Sequence, residues 1–399
     1  GLVTVPTVGA GTVNTEFEIL TGMRQHDFGV SEYPYKTVLK SKTSESICTD
    51  LKKLGYSTHA VHNNEATFYG RNTVFSNIGF DTFCSMEYMN GLTDSPNGWS
   101  NDDVLSREIM KTLDSTSGPD FTMAITVQSH GKYDGIALDD PTIKVTGAPE
   151  RKEQAYEYYV NEIHEVDRMI DTLIKELSNR KEETVLVLYG DHLPSLDIQK
   201  DDLSNANLYQ TQYVVWDNMN LKKKTKNLHA YQLYAEVLDR IQIHEGMITK
   251  YHQQTKHRSK LYLTGLTTLS YDLLYGDNYA YDGENPFKQT ELQMGTEPVK
   301  LTSVQKTKSG YRVVGSGFTP YCKVYYDGTL VESEWISSGC LQLQDEFELD
   351  EADKKDSGEP ETEVTEPRDV PNAFVVEVQS DDGVVLSSTQ AYPASQVKK

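Results

Sequence analysis

The chain has 399 residues, of which 37% are apolar and 10% aromatic, a composition typical of a globular protein with more than one core. It carries 60 acidic and 38 basic residues, a formal net charge of −22. Such a charge excludes a nucleic-acid partner held through its phosphate backbone and offers no overall attraction to an anionic membrane. A site for an anionic substrate therefore needs local positive charge, which a bound metal ion supplies.

Residues 1–290 alternate short apolar runs with amphipathic helices, the order typical of an α/β three-layer sandwich. The predicted strands are Leu2–Val8, Ser57–Val61, Phe121–Val127, Thr184–Tyr189 and Gln212–Trp216. The third and fourth are nearly continuous apolar runs, which favours strands buried on both faces of a mostly parallel sheet. Capping residues and apolar spacing predict helices over Thr43–Leu54, Asn101–Leu113 and Ala155–Leu177.

The last quarter of the chain has a different rhythm. Residues 277–296 are rich in turn-forming residues and predict a linker. Short strands separated by Gly, Pro and Asp turns follow, which predicts a small Ig-like β-sandwich over 291–399 beside the α/β domain over 1–290. Its predicted strands are Lys300–Val304, Tyr311–Ser316, Lys323–Tyr326, Cys340–Phe347, Phe374–Gln379 and Gly383–Ser388. Between them, Asp345–Glu366 is strongly acidic and predicts a solvated loop, with calcium binding as the alternative.

The cysteines, the apolar runs and the first residues of the chain indicate the compartment in which the protein acts. No two cysteines form a Cys-x-x-Cys pair, which argues against a zinc knuckle; they are Cys48, Cys84, Cys322 and Cys340. One disulfide in each part of the chain and four ordinary core thiols are both open readings. No apolar run reaches the length of a transmembrane helix, and no signal peptide is visible. The first residues already resemble a strand, so we expect the natural N-terminus to lie upstream.

The segment Gly9–Glu18 runs from a strand through glycines into a helix start. It presents the Thr12 hydroxyl at a tight turn backed by helix N-terminal amides, which favour an anion. A hydroxyl nucleophile needs its proton removed, and a bound divalent metal does this by coordinating the oxygen. The alternative is that Thr12 only caps the helix.

Two further segments follow predicted strands, where ligands bind in open α/β sheets. Tyr189–Pro194 offers Asp191 and His192, an oxygen and a nitrogen ligand suited to Mn²⁺ or Zn²⁺. Thr126–Gly131 offers His130. Alone, each has a bland alternative, a chance Asp-His pair or a structural histidine. Because one edge of one sheet would present all three segments, the sequence predicts a single site.

In order and spacing these motifs resemble the lipoteichoic acid synthase-type phosphoglycerol transferases, a branch of the sulfatase/alkaline phosphatase superfamily, over residues 1–290. The matching segments are Gly11–Glu18, Leu20–Gly22, Val127–Gly131 and Tyr189–His192. The resemblance implies that Thr12 is the nucleophile and also a metal ligand, with Asp191 and His192 as further ligands. It implies one divalent ion, Mn²⁺ before Mg²⁺ or Zn²⁺.

The resemblance also implies a substrate-binding set: His62, Tyr69, Arg71 and His130. His130 would contact the substrate phosphate, and the arginine suits bidentate phosphate binding. Tyr69 stands where some relatives have Trp, and Asn64 where some have Asp, so the headgroup preference is open. Without the other motifs, this segment would be an ordinary polar loop.

One expected metal ligand has no counterpart. The family supplies a Glu in a Glu-Ser-Phe-like motif on a strand that precedes the nucleophile, and the present chain starts after that point. Glu16 and Glu18 do not replace it, because both follow Thr12 on its helix. We therefore expect the chain to hold three of four ligands and to be weakly active or inactive by itself.

The implied reaction is two-step: Thr12 attacks a phosphate ester, and an acceptor hydroxyl or water then attacks the threonine-linked intermediate. The donor would be a phospholipid such as phosphatidylglycerol, and the acceptor a polymer or glycolipid. The protein would face outwards from the membrane of a Gram-positive bacterium, on a tether outside this chain. The alternatives are a sulfatase or phosphoethanolamine transferase of the same superfamily, and an inactive module that binds cell-wall polymer.

Overall fold

The computed structural model describes residues 1–29, 32–148, 150–344, 347–349 and 366–398. Most of the acidic segment 345–366 thus lies outside the described residues. The chain divides into two compact units. The first comprises 1–60, 69–81 and 93–292, and the second comprises 61–68, 82–92 and 293–399. The longest segment of the second unit therefore begins close to the predicted boundary at 290/291. Two earlier segments of the chain also belong to this unit.

The described α-helices all belong to the first unit, and α5 is the longest of them. They are α1 (Thr12–Thr21), α2 (Ile47–Lys52), α3 (Arg71–Asn77), α4 (Asp103–Asp114), α5 (Glu150–Asn179), α6 (Ala230–Arg240), α7 (Met247–Gln254) and α8 (Tyr262–Leu274). Within the described residues, none of them combines the length and the apolar character needed to cross a bilayer.

The described strands fall in both units. They are β1 (Leu2–Thr4), β2 (Ser57–His62), β3 (Thr82–Cys84), β4 (Asp120–Ile125), β5 (Val185–Tyr189), β6 (Gln210–Asp217), β7 (Leu228–His229), β8 (Gln293–Met294), β9 (Lys300–Thr307), β10 (Gly310–Ser316), β11 (Cys322–Tyr326), β12 (Thr329–Val331), β13 (Ser333–Ser337), β14 (Cys340–Leu343), β15 (Ala373–Gln379), β16 (Val385–Ser388) and β17 (Tyr392–Pro393).

A four-stranded sheet of order β5-β6-β1-β7 positions the start of α1. β1 runs parallel to β7 and antiparallel to β6, and β6 runs antiparallel to β5. One face of this sheet packs on α1 and α6 through Val3, Ile19, Leu228 and Leu233. Burying each such side chain contributes about 1.5–3 kcal/mol. The α/β prediction is confirmed.

The prediction for Thr184–Tyr189 needs a correction. We expected a parallel strand buried on both faces, but β5 is antiparallel to β6 and every residue from Val185 to Tyr189 is half-buried. The apolar run alone does not distinguish the two arrangements, because it reports burial potential and not strand direction.

Helix α2 also begins later than predicted. It starts at Ile47 because Ser46 caps it: the Ser46 hydroxyl accepts from the backbone N–H groups of Cys48 and Thr49, and the Thr49 hydroxyl accepts from the Ser46 N–H. This reciprocal capping outweighs the weaker signal at Thr43. None of the four cysteines, all of which the structure describes, is in a disulfide, so the disulfide prediction is wrong.

The second unit contains two antiparallel sheets, of order β13-β14-β10-β9 and β12-β11-β15-β16, with β17 added to β15. Side chains from both sheets share one core that includes Val313, Phe318, Val324, Leu341 and Phe374. Two sheets that face each other across an apolar core form a β-sandwich. The small C-terminal β domain is thus present, and its assignment as Ig-like stays a prediction.

Candidate active site

Thr12 stands at the first turn of α1, where two glycines shape the entry. Gly11 is the N-cap in the left-handed region (φ 97°), and no side chain caps this helix. A Cβ on Gly11 would lie 2.8 Å from the Thr7 hydroxyl oxygen, so glycine is required by both conformation and space. The Thr12 hydroxyl is therefore not a helix cap, and that alternative is wrong.

The loop after β5 brings Asp191 and His192 to this turn. The Thr15 hydroxyl donates to the Asp191 carbonyl (2.7 Å), and the Gly9 N–H donates to the Leu193 carbonyl (3.0 Å). These bonds fasten the loop to both sides of Thr12. As a result the Thr12 Oγ1 lies 3.4 Å from the His192 Nε2.

The donor atoms of this trio suit a divalent metal ion. The His192 Nδ1 lies 2.8 Å from the Leu193 carbonyl, and because a carbonyl only accepts, Nδ1 holds a proton, so the neutral ring has its lone pair on Nε2. Nε2 is 3.3 Å from Asp191 Oδ2 and 3.4 Å from Thr12 Oγ1. Ligand atoms of a tetrahedral ion with bonds near 2.0–2.2 Å lie about 3.4 Å apart, so the spacing fits.

Carboxylate, imidazole and thiol groups alone do not complete a metal site here. Within the described ranges, no group of three or more His, Cys, Asp or Glu side chains is arranged to hold a metal ion. The trio passes the spacing test only when the Thr12 hydroxyl is counted as a ligand. The assignment of Thr12, Asp191 and His192 as metal ligands stays a prediction.

His130 lies on the same side of the site as His192. The two rings meet edge to face with centroids 6.4 Å apart. The segment before His130 is held by Asp102, which accepts from the backbone N–H of Val127 (2.9 Å). The His130 Nδ1 is hydrogen-bonded to the Gly131 carbonyl at 2.8 Å. Nε2 is therefore the ring nitrogen that this hydrogen bond does not use.

Trp99 is a site residue that the sequence analysis missed. Its ring packs edge to face on His130 at 5.1 Å, and its indole N–H donates to the Gly131 carbonyl (2.9 Å). The side-chain amide of Asn97 donates to the His130 carbonyl (2.9 Å). A tryptophan in a turn-rich segment was the available signal, since a buried indole N–H needs a specific partner.

Arg71 is buried, with 1% of its surface exposed. Its guanidinium binds Glu16 on α1 through two hydrogen bonds, Nε to Oε2 (3.2 Å) and Nη2 to Oε1 (2.6 Å). The guanidinium carbon also lies 5.5 Å from the Tyr69 ring centroid. Glu16, which we had assigned only to the motif, is thus the carboxylate partner of Arg71.

An aromatic stack continues from Tyr69 towards the turn at Gly11 and Thr12. Tyr69 has left-handed backbone geometry (φ 62°) and stacks on Tyr33 with centroids 6.0 Å apart. The Tyr33 hydroxyl lies 3.6 Å from where a Gly11 Cβ would be. Burial, and then the neighbouring Tyr33, raise the pKa of Tyr69, and Asp191 adds to the effect. Tyr69 and Tyr33 thus form an aromatic wall that reaches the Gly11 turn before Thr12.

Lys36 supplies positive charge next to this wall. Its ammonium lies 5.3 Å from the Tyr33 centroid and 5.1 Å from the Tyr69 centroid, within cation–π range of both rings. Neither Lys36 nor Tyr33 was predicted.

His62 belongs to the second unit, where it ends β2 and is buried. Thr12 belongs to the first unit, so the role of His62 at the same site stays a prediction.

Comparison with known proteins gives a family match and curated relatives. The sulfatase family model matches residues 1–243. A Rhizobium meliloti protein named for cyclic β-1,2-glucan modification is 31% identical over 242 residues, 56% of this chain and 37% of that protein. Lipoteichoic acid synthase 2 of Bacillus subtilis is 23% identical over 197 residues, 49% of this chain and 30% of that protein. The chain therefore spans about a third of the length of these relatives.

Solved structures share the fold. The Streptococcus pyogenes phosphoglycerol transferase GacH, in complex with sn-glycerol-1-phosphate, matches with a TM-score of 0.60 at 21% identity, over 73% of this chain and 80% of that one. The lipoteichoic acid synthase LtaP from Listeria monocytogenes matches with a TM-score of 0.50 at 18% identity, over 62% and 66%. At sequence identities of 21% and 18%, the similarity to these two structures shows a shared fold and not a shared activity.

Proposed function

Since this chain belongs to the sulfatase family, a family of enzymes, we propose that it is the catalytic part of a metal-dependent phosphoglycerol transferase or phosphodiesterase with Thr12 as nucleophile. The observation that carries the proposal is the Thr12 hydroxyl, which caps no helix and lies 3.4 Å from a histidine nitrogen with a lone pair. A hydroxyl in that position is prepared to lose its proton.

In the first step, the Thr12 oxygen forms a bond to the phosphorus of a phosphodiester, and the bond from phosphorus to the lipid alcohol breaks. The alcohol leaves with a proton, and the glycerophosphoryl group stays on Thr12. In the second step, an acceptor hydroxyl attacks the same phosphorus, and Thr12 regains its proton. A divalent ion held by Thr12, Asp191 and His192 would lower the pKa of the hydroxyl and offset charge on the phosphoryl oxygens.

The protein's own groups supply the remaining steps. The His192 Nε2 would be occupied as a metal ligand, so the Thr12 proton would pass to solvent and not to His192. His130 is aligned by its bond to the Gly131 carbonyl, so its Nε2 can donate to a phosphoryl oxygen or to the leaving alcohol when the ring is an imidazolium with both nitrogens protonated. The N-terminus of α1 adds its partial positive charge behind Thr12. Together these groups favour an anion at the nucleophile.

Arg71 contributes to this proposal as a positioning residue. Its two bonds to Glu16 tie α3 to α1, and its face-on contact orients Tyr69. Direct phosphate binding by Arg71, and substrate binding by Tyr69 and His62, stay predictions. Replacing a bidentate arginine by lysine would lose the fork geometry, so Arg71→Lys separates positioning from simple charge.

We further propose a membrane phospholipid such as phosphatidylglycerol as donor and an envelope glycan or polymer as acceptor, at the outer face of a bacterial membrane. Support comes from relatives named for phosphoglycerol transfer, lipoteichoic acid synthesis and glucan modification. These relatives come from Streptococcus, Bacillus and Rhizobium, so the restriction to Gram-positive bacteria stays a prediction. The metal is proposed as Mn²⁺, with Mg²⁺ or Zn²⁺ as the alternatives.

The test compares Thr12→Val, which keeps the shape without the hydroxyl, with Thr12→Ser, which keeps the hydroxyl. We expect hydrolysis of a fluorescent phosphatidylglycerol analogue to fall by at least roughly 1,000-fold in Thr12→Val and to persist in Thr12→Ser. Mass spectrometry of the quenched wild-type protein should find the glycerophosphoryl adduct on Thr12.

Turnover that survives Thr12→Val would refute the nucleophile assignment. A wild-type protein that binds no metal ion and turns over no donor would favour the polymer-binding module. Turnover of a sulfate ester or of phosphatidylethanolamine, but not of phosphatidylglycerol, would favour the sulfatase or phosphoethanolamine transferase alternatives.

A further inference from the structure

A short basic segment interrupts the acidic surface of the first unit. Between α7 and the start of α8, residues 256–263 read Lys-His-Arg-Ser-Lys-Leu-Tyr-Leu. Lys256, Arg258 and Lys260 are exposed. In the part of the chain that the structure describes, no ion pair within 4.0 Å is found for these three side chains. The chain as a whole has a net charge of −22, so these three cations form a local positive patch on an acidic protein.

Two leucines stand directly beside these cations. Leu261 is 74% exposed and Leu263 is 44% exposed. Tyr262 between them is buried, where its hydroxyl accepts from the Gln232 side chain (2.9 Å) and its ring packs on His257 (4.8 Å). The buried tyrosine fixes the helix start, so both leucines are held outward. A single exposed leucine needs no explanation, but this pair sits within a basic cluster.

We infer that Lys256–Leu263 is a docking surface for an anionic lipid bilayer. Basic side chains attract anionic headgroups, and adjacent apolar side chains enter the boundary between headgroups and acyl chains. The inference rests on the proposed function for the presence of a lipid substrate. It also revises the conclusion drawn from composition, because the chain as a whole is repelled by such a membrane while this segment is attracted to it.

The position of the segment excludes a direct role with the reacting phosphate. Helix α1 runs from Thr12 to its C-cap Gly22, a rise of about 15 Å. The Gly22 carbonyl accepts from the buried His252 (2.8 Å), whose ring lies 6.5 Å from that of His257. The basic segment is therefore near the far end of α1. Its cations would contact lipids that surround the substrate.

A second basic run provides a matched control. Residues 222–226 contain four lysines. There, Lys224 and Lys226 both pair with Glu236 at 2.5 Å, while Lys222 and Lys223 are exposed. Thus Lys222 and Lys223 match Arg258 and Lys260 in number of charges and in exposure, without a pair of exposed leucines beside them.

The experiment is co-sedimentation of the full chain with phosphatidylcholine vesicles that contain about one third phosphatidylglycerol or none. We expect binding to the anionic vesicles, weakened by salt, and little binding to the neutral ones. Arg258→Gln with Lys260→Gln should weaken binding by about 30-fold, at roughly fivefold for each charge. Lys222→Gln with Lys223→Gln should change binding less than about threefold.

The leucines distinguish a bilayer from a soluble anion. Leu261→Ser with Leu263→Ser should weaken vesicle binding by at least about tenfold, whereas Leu54→Ser, at another exposed leucine, should not. The inference would be overturned if the wild type did not bind anionic vesicles. It would also be overturned if the Arg258/Lys260 variant and the Lys222/Lys223 variant lost vesicle binding equally. Vesicle binding that the leucine changes leave intact would indicate attraction by charge alone, without insertion of apolar side chains into the bilayer, and would also overturn it. Thr12→Val should bind vesicles as the wild type does, so a failed nucleophile and a failed docking surface give different results.

Discussion

Acidification should destabilise the first unit through His252. This histidine is buried, and its Nε2 donates to the Gly22 carbonyl at the end of α1 (2.8 Å). Its Nδ1 accepts from the Tyr262 hydroxyl (2.7 Å), which itself accepts from Gln232 (2.9 Å). A proton on Nδ1 would face this hydroxyl and break the chain of hydrogen bonds. The neutral ring is therefore the form that the fold requires.

The magnitude follows from the shift of the pKa. Burial, and to a lesser extent His257, lower the pKa of His252 from 6.5 to about 4. As pH falls below 6.5, the unfolded chain takes up a proton that the folded protein refuses until pH 4. The contribution to stability is thus complete above pH 6.5 and is lost towards pH 4. Between pH 7.5 and pH 5 the loss is about 2 kcal/mol, and the full shift corresponds to about 3 kcal/mol.

The assay is urea unfolding of the wild type and His252→Gln at intervals from pH 7.5 to pH 4.5. Other groups titrate in both proteins, so the quantity of interest is the difference in unfolding free energy between them. We expect His252→Gln to be less stable at pH 7.5 and the gap to close by about 2 kcal/mol at pH 5. An NMR titration of the ring should give a pKa near 4. A gap that stays constant with pH would refute the reasoning.

Two carboxylates on α1 give further tests. Burial raises the pKa of Glu18 from 4.5 to about 8, so its folded form keeps a proton that the unfolded chain loses, and stability falls as pH rises from 4.5 to 8. We expect Glu18→Gln to gain up to about 5 kcal/mol over wild type above pH 8, measured by thermal unfolding at several pH values; a loss at alkaline pH would contradict this. Arg71→Ala should cost about 3–5 kcal/mol because it leaves Glu16 buried and unpaired, and the added change Glu16→Gln should recover part of that loss in chemical denaturation; a double variant no more stable than Arg71→Ala would count against the pairing argument.

The residues of the Thr12 site could be singled out because each follows a glycine or the end of a predicted strand, although each signal was weak alone and the roles came from the family resemblance. Thr12 comes after two glycines, and Asp191-His192 follows an apolar strand and a glycine. Such positions are where a fold presents side chains to ligands, so short-range pattern and function coincide. The structure indeed brings Thr12, His192 and His130 together.

The supporting residues were not predictable in the same way. Glu16 and Arg71 are 55 positions apart, and Trp99 and His130 are 31 positions apart, so nothing local identifies them as partners. Strand β13 was missed because Glu334, Trp335 and Ile336 are all exposed, and its residues show no alternation of buried and exposed sides. The assignment of 61–68 and 82–92 to the second unit depends equally on tertiary contacts.

The contact between Thr12 and His192 joins residues 180 positions apart. During synthesis at about 5–20 residues per second, the threonine would leave the ribosome roughly 10–40 s before its histidine. Until then the loop that fastens the glycine turn through Asp191 and Leu193 does not exist. A nascent or truncated chain that stops short of Asp191 therefore carries the hydroxyl without the geometry. The contact between Thr12 and His192 therefore forms late, and only in a chain whose loop after β5 has been made.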